Sequence, residues 1–303
     1  MKIFYDSTYD LEGYDTTRKA KWIYDSLCQN PIRNVEVISP PLLDETLLKR
    51  VHCQRYINTV RSGSPIRLAE SQGLRWSPDL WRSVTASTMG VVAAAQQSLN
   101  DGVSGSLSSG LHHAQYARGA GYCTFNGLVV AAEHLHQEGV EHILILDLDA
   151  HFGGGTNSLL VKRGYIHHVD VSVSRFDRYP VCPCQAGTNP RPFRTALLIT
   201  NSDEYLRSIE ICLEKIEELN IKFGACLYNA GVDPHENCMV GGIDGITTDT
   251  LHCRDQMVFE WCKRRGVPIS FALAGGYIGT QLSVETLVGL HRGTIEAAAR
   301  TIR

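Results

Sequence analysis

The chain has 303 residues, 43% of them hydrophobic, enough to bury a large core as one α/β domain or two. Its net charge of −3 carries no basic stripe, which argues against nucleic acid or an anionic membrane as the main partner. The opening residues meet Asp6 too early for a signal peptide, and no segment approaches the roughly 18 apolar residues of a membrane span. The ten cysteines therefore read as reduced thiols, and the protein as cytoplasmic.

In chain order, residues 2–5 predict a short strand and 17–28 a helix. Residues 35–39 form a second strand, stopped by Pro40-Pro41. Helical patterns follow at 44–51 and 55–61. An Ala-rich helix at 78–99 has proline in its first turn and is closed by Asn100-Asp101-Gly102. Residues 104–110 are small and Ser/Gly-rich. They lie between two helical patterns and are short for a linker, so they predict a strand that ends in a site loop. A helix at 126–137, a strand at 140–149, a short helix at 156–162 and a strand at 166–173 come next. The loop at 175–192 contains Cys182-Pro183-Cys184, a poor match to a redox pair or metal clip. A helix at 202–219 and strands at 223–228 and 269–273 follow, each strand running into glycine. Helices at 250–264 and 283–302 complete the pattern. This alternation, with no repeat and no linker, predicts a single α/β domain with a mainly parallel central sheet sandwiched between helices.

The segment Leu144-Ile145-Leu146-Asp147-Leu148-Asp149-Ala150-His151 runs into Phe152-Gly153-Gly154-Gly155. In an extended strand, positions 147, 149 and 151 point to one side. Four loops that follow predicted strands, at 110–113, 147–151, 229–235 and 274–277, carry polar groups a core would not tolerate. A parallel sheet gathers such loops at the carboxyl ends of its strands, where open α/β sheets bind ligands. Asp149, His151 and Asp233 then offer two carboxylates and one imidazole with a position open to water, a set hydrolytic metals accept. Asp147 is better placed to orient a histidine. Asp-x-Asp-x-His alone could be a strand end with capping acids, and a histidine pair or a loop tyrosine alone is usually structural. Their combination favours the metal site.

Five segments occur in order from about residue 110 to 277: Gly110-Leu111-His112-His113-Ala114, Gly121-Tyr122-Cys123-Thr124-Phe125-Asn126, Asp147-Leu148-Asp149-Ala150-His151, Ala230-Gly231-Val232-Asp233 and Gly275-Gly276-Tyr277. With them the chain resembles the histone deacetylase, acetoin-utilisation and acetylpolyamine amidohydrolase family, within the arginase/deacetylase fold. Looser similarity extends the resemblance over the N-terminal part.

The resemblance implies a hydrolase acting on an N-acyl amide, acetyl first, of a lysine side chain or a small amine. It implies one zinc-type ion per chain, with iron(II) as the alternative, held by Asp149, His151 and Asp233, and a water that attacks the amide carbonyl. His112 and His113 would handle protons, with Asp147 behind His112, and the Tyr277 hydroxyl would bond the oxyanion. A structural potassium ion would sit among carbonyls of Asp147, Asp149 and His151 and the Ser172 hydroxyl. Tyr122 and Tyr179, with Gly121, Gly275 and Gly276, would line the slot for the acyl-amine arm. A homo-oligomer is compatible with this picture.

Departures from the family pattern carry expectations of their own. The partner that orients the second histidine usually stands three residues after the metal-binding histidine, and here that position is Gly154. His113 is therefore expected to lack its partner, leaving its proton role weaker or supplied from another loop. Val240 stands where a gatekeeping leucine, methionine or glutamate would be, and Arg75-Trp76 near where an acidic rim residue would be. Both count against polyamines and histone tails. Two other functions compete. A dinuclear ureohydrolase would need carboxylates where Gly153 and Gly231 stand. A binding protein that has lost turnover is favoured only by Gly154.

Overall fold

The computed structural model describes residues 1–181 and 192–302. Cys182-Pro183-Cys184 lies outside the described residues. The strands are β1 (Lys2–Phe4), β2 (Glu36–Ile38), β3 (Val103–Ser106), β4 (Ile143–Asp147), β5 (Ile166–Ser172), β6 (Arg194–Leu198), β7 (Ala225–Gly231) and β8 (Ile269–Ala274). They form one sheet in the order β2-β1-β3-β8-β7-β4-β5-β6. Every neighbouring pair is parallel. The helices are α1 (Asp15–Gln29), α2 (Glu45–Val51), α3 (Gln54–Ser62), α4 (Ile66–Ala69), α5 (Pro78–Asp101), α6 (Gly127–Gln137), α7 (Gly154–Leu159), α8 (Tyr205–Glu218), α9 (Thr248–Arg265) and α10 (Val284–Ala299).

The two faces of the sheet are read directly from β4. Leu144, Leu146 and Leu148 join one apolar cluster with Ile23 of α1, Ile209 of α8, Phe259 of α9 and Leu290 of α10. Ile143 and Ile145 join the other with Leu48 of α2, Ile57 of α3, Val92 of α5 and Leu128 of α6. All five β4 residues are buried, as expected where helices cover both faces of a parallel strand. The helix ends follow local chemistry. Ser77 caps α5 by accepting from the Leu80 amide, with Pro78 in its first turn, and Gly102 ends it in a positive-φ conformation.

Two elements escape the sequence pattern. β6 lies inside no predicted segment, because it is a half-buried edge strand of five residues with no strong apolar alternation. α4 is a single four-residue turn, too short to leave a periodic signal. For the site, adjacency decides most. β3, β8, β7 and β4 are consecutive in the sheet, so the four loops that leave their carboxyl ends emerge side by side.

Candidate metal centre and paired histidines

Three donors converge where β4 and β7 end. His151 Nδ1 lies 3.1 Å from Asp149 Oδ1 and 3.1 Å from Asp233 Oδ2. All three side chains are buried, and their ligating atoms lie within 4.8 Å of one another. Asp233 Oδ1 is held by the Ala150 amide at 3.0 Å, which ties the β7 loop to the β4 loop. Its Oδ2 is left facing the His151 imidazole.

The charges are strained in the sense a cation relieves. Burial raises the Asp233 carboxyl, and the neighbouring Asp149 raises it further. Burial also opposes charge on Asp149, but His112 and His151 outweigh it and hold that carboxyl well below its usual range. His151 is in turn held up at about 11, because Asp149 and Asp233 overcome its own burial. Two carboxylates and one imidazole nitrogen, buried and mutually close, suit a zinc-type divalent ion.

Next to this group stand two imidazoles. The Nε2 atoms of His112 and His113 meet at 3.1 Å, and His112 Nε2 is 3.7 Å from Asp149 Oδ1. A carboxylate backs each ring from behind. His112 Nδ1 lies 2.7 Å from Asp147 Oδ2, and His113 Nδ1 lies 2.8 Å from Asp177 Oδ2. A carboxylate only accepts, so each Nδ1 carries its proton and each Nε2 faces the cavity.

The pair polarises. Burial disfavours charge on both rings, but Asp147 and Asp149 outweigh it at His112 and hold it up at about 10. At His113 burial and the adjacent His112 prevail and push it down to about 4. One nitrogen protonated and one not is what a 3.1 Å contact between two imidazoles requires. Such a pair can take up one proton while giving another.

The match to a general family description completes this picture. The Histone deacetylase domain model aligns with residues 14–289. The chain belongs to the histone deacetylase domain family. Among curated relatives, an uncharacterized protein of Picosynechococcus is 28% identical, the alignment covering 81% of this chain and 80% of that one. Histone deacetylase 2 of Arabidopsis thaliana is 22% identical over 94% of this chain and 76% of its own. A probable deacetylase of Methanothermobacter thermautotrophicus is 35% identical over 66% of this chain and 61% of its own. The crystal structure of the HDA15 HD domain superposes with a TM-score of 0.79 at 18% identity, covering 99% of this chain and 91% of that one. Acetylpolyamine aminohydrolase from Burkholderia pseudomallei gives 0.77 at 17% identity, covering 99% and 98%. At such identities the two structures establish the shared deacetylase fold.

Within this deacetylase fold the remaining predicted residues sort as follows. Gly121, Tyr122, Gly275 and Tyr277 line the cavity that reaches His112, His113, Asp149 and His151. The Tyr277 hydroxyl is raised well above 10, by burial first and then by Asp233 and Asp149, so it keeps its proton. Gly276 does not line the cavity; its α-carbon faces Leu287 and Val232. Tyr179 is not at the cavity wall either. Its hydroxyl donates to Asp170 Oδ2 at 2.9 Å, which turns it to the far side of the site loop. The Ser172 hydroxyl, expected on potassium, donates to Asp170 Oδ1 at 2.7 Å.

The expectation that His113 lacks a partner is overturned, because Asp177 supplies one. The carboxylates a second metal would need have no room. A Cβ at Gly153 would lie 2.7 Å from Asp147 Oδ2, and one at Gly231 would collide with the backbone of Asp149.

Several contributors carried little signal in the sequence. Asn229 donates to Asp147 Oδ1 at 2.8 Å and accepts from the Gly110 amide at 3.2 Å, joining three of the four loops. Asp170 adds a buried carboxylate beside Asp147 and His168, raised to about 7 by burial and then by Asp147. Lys19, buried on α1, donates to the Gly275 carbonyl at 2.7 Å and to Ser109 Oγ at 3.2 Å, pinning the loop that carries Tyr277. Arg254, fully buried on α9, donates to the Gly231 carbonyl at 2.5 Å and to the Leu148 carbonyl at 3.3 Å. It thereby clamps the two segments that present Asp149 and Asp233.

Proposed function

We propose that the protein is a metal-dependent deacylase that hydrolyses an N-acyl amide, acetyl first, of a lysine side chain or a small amine. The observation that carries this proposal is the pair of buried His–Asp units whose Nε2 atoms meet beside three converging metal-type donors. Asp149, His151 and Asp233 would hold the ion, zinc first and iron(II) second. When bound, such an ion polarises a carbonyl and acidifies water. His113, neutral at working pH, accepts the proton of the attacking water at Nε2 while its Nδ1 keeps its own proton and donates it to Asp177 in a hydrogen bond. His112, protonated, offers its Nε2 proton to the departing amine. The Tyr277 hydroxyl donates to the oxyanion as the carbonyl becomes tetrahedral.

A structural monovalent cation beside Asp147 is part of the same proposal, with Asp170 adding a carboxylate to its surroundings. Residues 1–303 are proposed to act as one domain of this kind. Tyr122, Phe176, Met239 and Val240 are exposed. Phe176 sets its ring edge-on to His113 and His151, and Gly241, next to Val240, packs on the His151 ring. Exposed apolar groups next to His113 and His151 favour a substrate with an uncharged flank over a polycation.

The test pairs metal analysis of the purified protein with a panel of fluorogenic acyl-lysines and acetylated diamines. One metal per chain and chelator-sensitive amine release are expected. Two metals per chain, or a loaded protein that turns over none of the panel, would overturn the proposal.

A further inference from the structure

We infer that Asp177 is the positioning residue of His113, supplied from the loop after β5, and that Gly154 is glycine to admit it; this rests on the deacylase proposed above. Three observations converge. First, Asp177 Oδ2 stands 2.8 Å from His113 Nδ1, matching the 2.7 Å of Asp147 to His112. Second, Asp177 sits in the left-handed region at φ 56°, a conformation aspartate tolerates better than most residues. The Phe152 amide holds that turn over the metal-binding segment by donating to the Phe176 carbonyl at 3.1 Å.

Third, the space is exclusive. A Cβ on Gly154 would collide with Asp177 Oδ1 and lie 2.5 Å from the Asp177 carbonyl oxygen, which is backbone and cannot rotate away. A side chain at 154 and the Asp177 turn therefore compete for one volume. Removing the side chain at 154 vacates the place from which the metal-binding segment would reach His113, and the neighbouring loop fills it with an equivalent carboxylate. The Phe176 ring, edge-on to His113 at 5.0 Å, adds an apolar wall that keeps the imidazole in that plane.

The experiment compares metal-loaded wild type, Asp177→Ala, Asp177→Asn, Gly154→Ala and the Asp177→Ala/Gly154→Ala double variant. Loss of an orienting partner is expected to lower kcat by about 10- to 100-fold in Asp177→Ala, with KM and metal content unchanged. Asp177→Asn is expected to recover most of that loss, since an amide oxygen accepts the same Nδ1 proton. Gly154→Ala is expected to lower kcat alone and to add nothing in the double variant, because both changes remove one contact. Wild-type kcat in Asp177→Ala, an Asp177→Asn as slow as Asp177→Ala, or additive losses would overturn the inference.

A readout independent of turnover is the His113 Nδ1 proton in protein carrying isotope-labelled histidine, assigned by its loss in His113→Gln. Hydrogen-bonded at Nδ1, it gives a downfield, slowly exchanging resonance, expected in wild type, absent in Asp177→Ala and kept, less far downfield, in Asp177→Asn. A wild type that shows this pattern but hydrolyses no amide would sink the deacylase proposal and leave the positioning intact. A resonance unaffected by Asp177→Ala would sink the positioning alone.

Discussion

His112 and His113 adjoin in the chain, meet at their Nε2 atoms and each lean on an aspartate, yet one is held up at about 10 and the other down at about 4. The hydrogen bond to a carboxylate does not separate them, because both have it. Burial does not separate them either, since it is the largest influence on each and favours the neutral ring in both. The difference lies in the next charge out. Asp147 and then Asp149 raise His112, whereas at His113 the positive charge of His112 itself outweighs what Asp177 and Asp149 supply. Their supports differ in kind as well. The Asp147 side chain is wholly buried at the end of a central strand, while that of Asp177 is 20% exposed on a loop. Proton affinity here belongs to the pair, and a titration would report the two rings together.

The harshest way to break this comparison is to remove one of the carboxylates beside the two rings on which the proposed metal would depend. Asp149→Ala or Asp233→Ala is expected to abolish bound metal and amide hydrolysis together, read by metal analysis and assay. A variant that kept a full equivalent of metal would show that the ion sits elsewhere. Tyr277→Phe leaves both rings as they are and is expected to retain the metal while kcat falls by about 10²–10³. Undiminished turnover would remove the oxyanion role.

Asp147→Asn sharpens the contrast by withdrawing the charge behind His112 while leaving an acceptor. An about 10- to 100-fold loss of kcat is expected. Losing a neighbouring negative charge lowers the affinity of His112 for its proton, so activity that needs His112 protonated is lost at lower pH. The alkaline limb of the pH–kcat profile is therefore expected to move acidwards. An unmoved limb would assign the proton donor to another group.

The mildest test uses His52, a buried imidazole with no carboxylate partner. Its Nδ1 donates to the Gln115 carbonyl and its Nε2 accepts from the Asn126 amide, both at 2.9 Å, so it is neutral. Burial pushes it down to about 4. Between pH 6.5 and about 4 the unfolded chain binds a proton that the folded chain refuses, so stability falls as pH drops through that window. The full effect is on the order of 3 kcal/mol. His52→Gln, which does not titrate, is expected to flatten the pH dependence of the denaturation midpoint. A slope equal to wild type would show that other groups carry it.

The fold and the convergence of Asp149, His151 and Asp233 were legible because their signals are local or follow from topology. Asp147, Asp149 and His151 share one strand end, and a parallel sheet brings the loop of Asp233 beside them. Asp177 was not legible, because its role depends on a φ of 56° and on an absent side chain in another segment. Lys19 left a trace that could have been followed. It shares the inward face of α1 with Ala20, Ile23 and Leu27, an odd place for a charge unless it has a partner. Asp170 left a similar one, as an acid between Val169 and Val171 inside a strand. Tyr179 was misassigned because a tyrosine after a site strand can face either the cavity or the strand end. Here the buried Asp170 captures its hydroxyl.

The Arg254 clamp has a thermodynamic consequence. By fixing the carbonyls of Leu148 and Gly231, it holds Asp149 and Asp233 together in the folded chain, so the native state would be the form that the proposed cation recognises. An ion that binds only the native state stabilises it by mass action. Each tenfold rise in free ion above Kd then adds about 1.4 kcal/mol to the unfolding free energy. On the proposed function, the resistance of the fold to heat would then gauge how fully the site is filled.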